Sequence, residues 1–218
     1  MANLFIYAPL LCKGLLVTLG AWLIASIISF CVGTWLGIWS CKQLASNGWS
    51  FVIRSYVFIA RGIPAYVQIL IAYFVLPSLL GIHISGFWAA VGALGFCSSG
   101  YVAEIVRGGI NVIGLGQWEA CFVLGYSRRD TLWRIILPQA FRNILPSLLG
   151  EAEQLLKRTA LLSTIGITEL TRTGMNIISR ELNPIPVYIL IAVIYLVLGA
   201  ILHGMLIYFE KRERYGSR

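Results

Sequence analysis

The segment Gly14–Trp39 reads GLLVTLGAWLIASIISFCVGTWLGIW and contains no charged residue. A helix needs about 20 predominantly apolar residues to cross the hydrocarbon core of a bilayer. This segment is long enough and therefore predicts a first membrane span. It is also longer than the apolar core of a secretory signal and is followed by further apolar segments, so we expect it to be retained.

The whole chain has the composition of a membrane protein. Of its 218 residues, 58% are hydrophobic and 12% are charged, whereas about 25% of residues are charged in soluble globular proteins. The formal net charge is +8, but the basic residues are scattered between apolar segments, which favours cytoplasmic loops over nucleic acid binding. The five cysteines and two histidines show no metal-ligand spacing, so we predict no metal site.

Four further spans are predicted from apolar stretches and from the need to keep the basic regions on one side. The stretch from Gly62 to Ala103 has no formal charge and is long enough for two spans, with a break near Pro77–Gly86. The uncharged stretch Leu182–Phe209 holds the last span. The predicted spans are residues 14–39, 55–76, 87–106, 142–164 and 186–209, within one all-α transmembrane domain covering residues 1–218.

The basic residues also predict an orientation. A segment at residues 107–141 carries Arg107, Arg128, Arg129 and Arg134 and is interrupted by glycines. We interpret it as a cytoplasmic loop with helices of its own. Because cytoplasmic loops are enriched in Lys and Arg, we predict that the N-terminus lies outside and the C-terminus in the cytoplasm.

The predicted fourth span contains ionisable residues. Insertion scales assign about 2.5 to 3.5 kcal/mol to each charged residue at the bilayer centre, so these side chains should not all face lipid. Helical spacing places Glu151, Gln154 and Arg158 on one face, and Glu153 and Lys157 as an i,i+4 pair on nearly the opposite face. The first face predicts a substrate path. The alternative is a partly submerged helix whose charges neutralise one another at a subunit contact.

The cytoplasmic loop contains Glu119, Ala120 and Cys121, followed by Gly125 and later by Pro138. An acidic residue, two small residues and a glycine suited to a sharp turn are typical of a short helix that sits closely against another protein. Pro138 begins or interrupts the next element. On spacing alone, an amphipathic surface helix explains the pattern equally well.

The segment GQWEACFVLGYSRRDTLWRIILPQAFRNILPSL, residues 116–148, resembles the cytoplasmic loop of ATP-binding-cassette importer permeases. The pattern of that loop is Glu-Ala-Ala, three residues, Gly, nine residues, then Ile-x-Leu-Pro. Cys121 replaces the second Ala. The residues that match are Glu119, Ala120, Gly125, Ile135, Leu137 and Pro138.

Four other segments resemble, in the right order, the polar amino acid branch, which is the histidine and glutamine permease family. They are KGLLVTL from Lys13, RGIPAYVQ from Arg61, GYVAEIVRGGI from Gly100 and LLKRTALLSTIGITEL from Leu155. The resemblance covers nearly the whole chain. It implies the type I importer permease fold of about five transmembrane helices in a bacterial inner membrane.

The resemblance also implies a coupling role for the loop. Glu119, Ala120, Cys121 and Gly125 would form the helix and turn that dock on a separate ATP-binding subunit, with Arg128 and Arg129 as supporting charges. The chain has no G-x-x-x-x-G-K-[ST] segment, so we expect ATP to be bound and hydrolysed by another polypeptide. The chain itself is then no enzyme and needs no cofactor.

The resemblance implies two further partners. One is a second permease subunit, identical or different, and the other is an extracytoplasmic amino-acid-binding protein that meets outer loops including Thr168–Arg180.

The resemblance also implies that Glu151 and Arg158 would face the α-amino and α-carboxylate groups of a substrate at mid-membrane. One departure concerns Lys157, Arg158 and Thr159, where relatives commonly have Lys-Asp-Thr. Either the substrate differs from the usual cationic or neutral amino acids, or this is the subunit without the site.

A second class of function fits the fourth-span charges. A self-sufficient channel or secondary transporter could use them as an ion relay. The coupling motif argues against that class, because a free-standing transporter does not need a helix for docking an ATPase.

Overall fold

The computed structural model describes residues 4–41, 43–44 and 47–216, and within these ranges all regular structure is helical. A 3-10 turn at Leu4–Tyr7 precedes the first helix. The helices are α1 (Ala8–Trp39), α2 (Asn47–Gly62), α3 (Ala65–Leu80), α4 (Gly86–Val112), α5 (Leu115–Val123), α6 (Leu137–Arg158), α7 (Leu170–Glu181) and α8 (Pro184–Gly216). A short helix at Arg128–Asp130 and a π-helical turn at Thr131–Ile136 lead into α6, and a 3-10 helix at Thr159–Ile165 follows it.

Three helices in the described part of the chain are each long and apolar enough to cross a membrane: α1, α4 and residues Pro184–Phe209 of α8. They correspond to the first, third and fifth predicted spans. α1 ends at the predicted Trp39 but begins six residues earlier than the predicted start at residue 14, and α4 continues to Val112 beyond the predicted 106.

The second predicted span, 55–76, is not one continuous helix. The chain is helical on both sides of residues 63–64, but α2 and α3 are bent by 100° relative to each other. Pro64 is extended, with φ −56° and ψ 137°, and because proline lacks an N–H and disfavours helical backbone in the residue before it, the break falls at this point. The Gln68 side-chain amide compensates by donating to the carbonyls of Ala60 at 2.9 Å and Ile63 at 2.7 Å.

The fourth predicted span, 142–164, coincides with α6 and the 3-10 helix Thr159–Ile165. α6 is long but is not apolar enough to count with the other spans. Its membrane location therefore stays a prediction, and the five-span topology depends on counting α2–α3 as one broken span and α6 as another.

Two predicted loops are largely helical. Residues 107–112 of the predicted loop 107–141 are the last turns of α4, and only short connections flank α5. The segment Thr168–Arg180 is mostly α7, which begins at Leu170. The buried carboxylate of Glu169 accepts hydrogen bonds from the backbone N–H groups of Thr171 at 2.8 Å and Arg172 at 2.7 Å and so caps α7. Sequence analysis did not single out Glu169.

The core is built mainly where α1 crosses α4. Gly33 and Gly37 lie one turn apart on α1, and a Cβ atom on either would lie 2.6 Å from the Cβ of Val102 or Val106, respectively. Small residues at this spacing allow two membrane helices to approach closely. This close packing fixes the position of α4, which also carries Ser98 and Tyr101.

α7 is tied to the start of the chain. The Leu170 N–H donates to the hydroxyl of Thr18 at 3.1 Å, and the Tyr7 hydroxyl donates to the carboxylate of Glu181. This hydrogen bond raises the pKa of Tyr7 above its usual value because it stabilises the protonated phenol.

Candidate functional site

The first candidate surface is α5 with the turn that follows it, and α5 is anchored by one buried face. Trp118 and Cys121 are almost fully buried, and Trp118 packs in a cluster with Leu132, Ile136 and Ile110. Residues 119 and 120 point the other way and are exposed. A helix of nine residues is too short to be stable alone, so this packing fixes its orientation.

Gly125 closes α5. Its φ is +81°, a backbone conformation that L-residues with a Cβ adopt only at a cost. The N–H of Tyr126 donates to the carbonyl of Cys121 at 2.9 Å, and the N–H of Gly125 donates to that of Phe122 at 3.0 Å. These two bonds satisfy the last carbonyls of the helix in a Schellman arrangement. The predicted glycine turn is confirmed.

The chain then starts a new helix at once. Ser127 caps it by accepting a hydrogen bond from the N–H of Asp130 at 3.1 Å. Arg128 and Arg129 are exposed beside this cap, and Asp130 pairs with Arg134 at 3.3 Å. Of the predicted coupling residues, Glu119, Ala120, Arg128 and Arg129 therefore share an open surface with the Gly125 turn. Cys121 does not share it: its side chain is buried and supports α5 from inside.

Apolar side chains surround these charges. Val123 is 87% exposed and Leu124 74% exposed. Leu115, Phe122 and Trp133 are also exposed. An apolar patch rimmed by charged residues marks an interaction surface, and here it lies on the segment that also carries Glu119.

The second candidate site lies between α4 and α6. Glu151 is 8% exposed, and its Oε1 accepts hydrogen bonds from the hydroxyl of Ser98 at 2.8 Å and from Nη1 of Arg158 at 2.8 Å. A buried carboxylate is costly unless it is paired and hydrogen-bonded. Ser98 and Arg158 meet both requirements.

The predicted faces of α6 are confirmed in part. Glu151 and Arg158 are brought together, and Glu153 pairs with Lys157 at 2.6 Å on another face. Gln154 is exposed and makes no side-chain hydrogen bond within the described part of the chain. It lies beside the ion pair and not in it.

A line of polar residues on α4 extends the site. The guanidinium carbon of Arg158 lies 4.9 Å from the ring centroid of Tyr101, and that of Arg61, the second last residue of α2, lies 5.2 Å from it. One turn further on, Glu104 accepts two hydrogen bonds from Arg107, at 3.2 and 2.6 Å. Arg61 reaches Glu104 only at 3.9 Å.

Sequence analysis did not identify Ser98, Tyr101 or Glu104 as site residues. Together with Arg107 they are spaced three residues apart, so each lies beside the next on the helix surface, but the row winds around α4 and Ser98 and Arg107 end on opposite sides. That spacing was the available signal. Arg61 gave no such signal, because it belongs to another helix. A recess of about 250 Å³, lined by Val57, Phe58, Arg61, Gly62 and Tyr101, opens next to this line.

No metal centre emerges from this arrangement. Within the described ranges, no group of three or more His, Cys, Asp or Glu side chains is placed to hold a metal ion. The side chains of the two candidate surfaces offer ion pairing, hydrogen bonding and apolar contact.

Comparison with known protein families gives one match that covers most of the chain. The profile of the family described as binding-protein-dependent transport system inner membrane component matches residues 32–215. Among curated proteins, the arginine transport system permease protein of Bacillus subtilis is 37% identical over 194 residues, which cover 89% of this chain and 88% of that protein. The glutamine transport system permease protein of Escherichia coli K12 is 34% identical over 209 residues, which cover 94% of each chain.

Solved structures agree with these relatives. A crystal structure of an amino acid ABC transporter with histidines superposes with a TM-score of 0.88 at 36% identity and covers 96% of this chain and 97% of the other. An inward-facing structure of the MetNI methionine ABC transporter superposes with a TM-score of 0.74 at 16% identity, over 96% of this chain and 99% of that chain. The second likeness shows a shared fold.

Proposed function

The chain belongs to the family of binding-protein-dependent transport system inner membrane components, and from that premise we propose how it carries amino acids across the membrane. It is a multi-pass permease subunit of the inner membrane with the type I ABC importer fold. It works with an ATP-binding subunit and a partner permease, and ATP is hydrolysed on the ATP-binding subunit. The named relatives transport arginine and glutamine, which supports an amino acid as the substrate here.

The coupling surface is α5 and the Gly125 turn. Val123 and Leu124 expose their apolar side chains on this surface. The carboxylate of Glu119 and the guanidinium groups of Arg128 and Arg129 are exposed there as well. This is the observation that carries the proposal, because such a surface needs a protein partner to cover it. The partner is the ATP-binding subunit, and Glu119 pairs with a basic group in its docking groove.

α5 can transmit force because it is rigidly attached. Trp118 fixes it to the hydrophobic cluster that includes Ile110 of α4 and Ile144 of α6. Movement of α5 with the ATP-binding subunit therefore displaces α4 and α6 together. Those two helices hold Ser98, Glu151 and Arg158, so the ATPase cycle acts directly on the mid-membrane site.

The substrate path passes Glu151 and Arg158. A zwitterionic amino acid needs an acceptor for its ammonium group and a donor for its carboxylate, and the ion pair offers one of each. Gln154, exposed on the same helix, contributes an uncharged polar contact.

The N-terminus lies outside and the C-terminus lies in the cytoplasm. In this orientation α7, with its exposed residues Ser179 and Arg180, belongs to the outer surface that receives the amino-acid-binding protein.

The decisive experiment is co-purification of the tagged chain from detergent-solubilised membranes, with ATPase activity measured while single amino acids and the binding protein are added. We expect an ATP-binding subunit to co-purify and its hydrolysis to rise with one class of amino acid. Glu119→Lys should abolish co-purification, because it places a cation against the basic groove of the partner, while the variant still folds.

The matched control is Glu181→Lys, which makes the same charge change on an exposed residue of α7. It removes the hydrogen bond from Tyr7 but lies outside α5 and its turn, so co-purification of the ATP-binding subunit should stay intact. A Glu119→Lys variant that binds the ATP-binding subunit and transports as the wild type does would remove α5 from the coupling role. A chain that purifies alone and still moves solute in liposomes would favour a channel or secondary transporter.

A further inference from the structure

The ion pair between Glu151 and Arg158 leaves specific atoms uncommitted. Both hydrogen bonds to the Glu151 carboxylate, from Ser98 and from Arg158, go to Oε1. Oε2 accepts none within the described residues and is not among the fully enclosed unpartnered atoms. It is therefore an open acceptor for an N–H donor. Arg158 uses only Nη1 for its hydrogen bond, although a guanidinium has five N–H donors in all.

Arg61 is the other group with unused capacity. The 3.9 Å to Glu104 is too long for a hydrogen bond, and Arg61 makes no side-chain hydrogen bond to any described residue. Both oxygens of Glu104 are already occupied by Arg107, at 3.2 and 2.6 Å. Arg61 therefore has only this long ion-pair contact, to a carboxylate that Arg107 already holds, and it lies at the edge of the 250 Å³ recess that it lines with Tyr101.

The charges of the site thus divide into two sets. Glu104 and Arg107 form a neutral pair of their own. The remaining set, Glu151, Arg158 and Arg61, is gathered along Ser98 and Tyr101 and carries one negative and two positive charges. A neutral or cationic ligand leaves this excess positive charge unbalanced, whereas a ligand with a net charge of −1 neutralises it. Of the two guanidinium groups, that of Arg158 is the more enclosed, with 22% of its side chain exposed against 43% for Arg61.

We propose that this site takes an amino acid whose side chain carries a carboxylate. This inference rests on the proposed function and names the substrate class of the same site. The ammonium group binds Oε2 of Glu151. The two carboxylates bind the guanidinium groups of Arg158 and Arg61, both of which contact the ring of Tyr101. One acceptor and two guanidinium donors then match one ammonium and two carboxylates, and the total charge of site and ligand is zero.

The same geometry disfavours cationic amino acids. Arg158 already occupies Oε1 of Glu151, so a ligand guanidinium or second ammonium would have to displace it and would add a further positive charge beside Arg61. Carboxylates, in contrast, accept bidentate hydrogen bonds from Arg, and such pairs are among the stronger and more directional polar contacts in proteins.

The test is direct binding to the assembled transporter, with its partner permease and ATP-binding subunit, in lipid nanodiscs and without the binding protein. Radiolabelled glutamate, aspartate, glutamine and arginine are the probes. Glutamine has nearly the shape of glutamate without its charge. We expect glutamate or aspartate to bind at least about tenfold more tightly than glutamine, and arginine to be the weakest ligand.

Two variants locate the interaction. Arg158→Gln and Arg61→Gln should each weaken binding of the acidic amino acid by about tenfold or more. The preference for glutamate over glutamine should shrink as a result. Arg61→Gln is the safer variant, because Arg61 makes no hydrogen bond whose loss would leave a buried partner. Arg142→Gln removes the same charge from an exposed position near the start of α6 and should leave binding unchanged.

The outcomes separate the two proposals. Binding of glutamine or arginine as tight as that of glutamate, or acidic amino acid affinity that survives both Arg61→Gln and Arg158→Gln, would overturn the assignment while leaving an amino acid importer. An assembly that binds none of the four amino acids, and whose ATPase activity responds to none when the binding protein is added, would overturn the proposed function as well.

Discussion

Nη1 of Arg158 lies 2.8 Å from Oε1 of Glu151, seven residues earlier in the chain, and the two side chains are 22% and 8% exposed. This pair joins the end of α6 to its middle and, through Ser98, to α4. The atoms that hold α6 to α4 here are therefore also the atoms proposed to bind the substrate.

Breaking this pair on one side should destabilise the chain more than removing it entirely. Glu151→Gln leaves the Arg158 charge without its partner, and the loss of one member of a buried pair typically costs about 3–5 kcal/mol. The double variant Glu151→Gln/Arg158→Gln should recover part of that loss. Thermal unfolding of the four proteins in detergent, analysed as a double-mutant cycle, measures the coupling, and additive effects would show that the pair contributes no coupling energy.

Gly33 is expected to tolerate no side chain. In Gly33→Ala the new Cβ would meet the Val102 Cβ at 2.6 Å, so α1 and α4 must separate, at a cost of about 1–3 kcal/mol. Gly20→Ala is the matched control on the same helix, since no atom lies within 4 Å of its Cβ position, and helix propensity should make it neutral or slightly stabilising. Equal unfolding temperatures for the two variants would argue against close packing of α1 on α4.

Gly125→Ala should weaken coupling without a steric clash. No atom lies within 4 Å of the Cβ position, but φ is +81°, and an L-residue with a Cβ pays roughly 1–2 kcal/mol in that conformation. The turn after α5 should therefore shift, and co-purification of the ATP-binding subunit should fall. Gly116→Ala, also without neighbours within 4 Å and in ordinary helix, is the control. Full ATPase coupling in Gly125→Ala would show that the left-handed turn is dispensable.

The bend between α2 and α3 should depend on Gln68. Its side-chain amide donates to the carbonyls of Ala60 and Ile63 at 2.9 and 2.7 Å, and Gln68→Leu leaves both acceptors unpaired in the protein interior. A loss of about 1–3 kcal/mol for each unsatisfied group is expected, seen as a lower thermal unfolding temperature. Gln117→Leu, an exposed position in α5, serves as the control, and an unchanged unfolding temperature in Gln68→Leu would mean that the bend is held by other contacts.

The orientation of the chain can be tested with single cysteines in a variant whose five native cysteines are replaced. His83 lies in the exposed connection between α3 and α4, and Gln117 is exposed in α5. A membrane-impermeant maleimide added to intact spheroplasts should label His83→Cys, whereas Gln117→Cys should react only after the membrane is opened. The reverse pattern would place the N-terminus in the cytoplasm.

Several features of the chain could be predicted because they depend on local sequence. An uncharged segment such as Gly14–Trp39 has the length and apolarity of a membrane span, and it lies within one continuous helix, α1. The turn at Gly125 follows from the need for a residue without a Cβ after a short helix. The i,i+4 pair of Glu153 and Lys157 follows from helical spacing alone, and the resemblance of the segment 116–148 to importer permeases gave the family.

Other features depended on the tertiary structure. The 100° bend at residues 63–64 splits an apolar segment whose composition fits one span. The two hydrogen bonds from the Gln68 side chain offset the cost of breaking the helix. Hydropathy does not describe such contacts, so the bend was not predicted. The burial of Cys121 depends on which side of α5 meets Ile136. The contribution of Arg61 to the Glu151–Arg158 site could not be derived from spacing, because Arg61 lies on α2 whereas Ser98 and Tyr101 lie on α4 and the ion pair lies on α6. Which faces of α2, α4 and α6 meet is decided by tertiary packing and not by the spacing within any one helix.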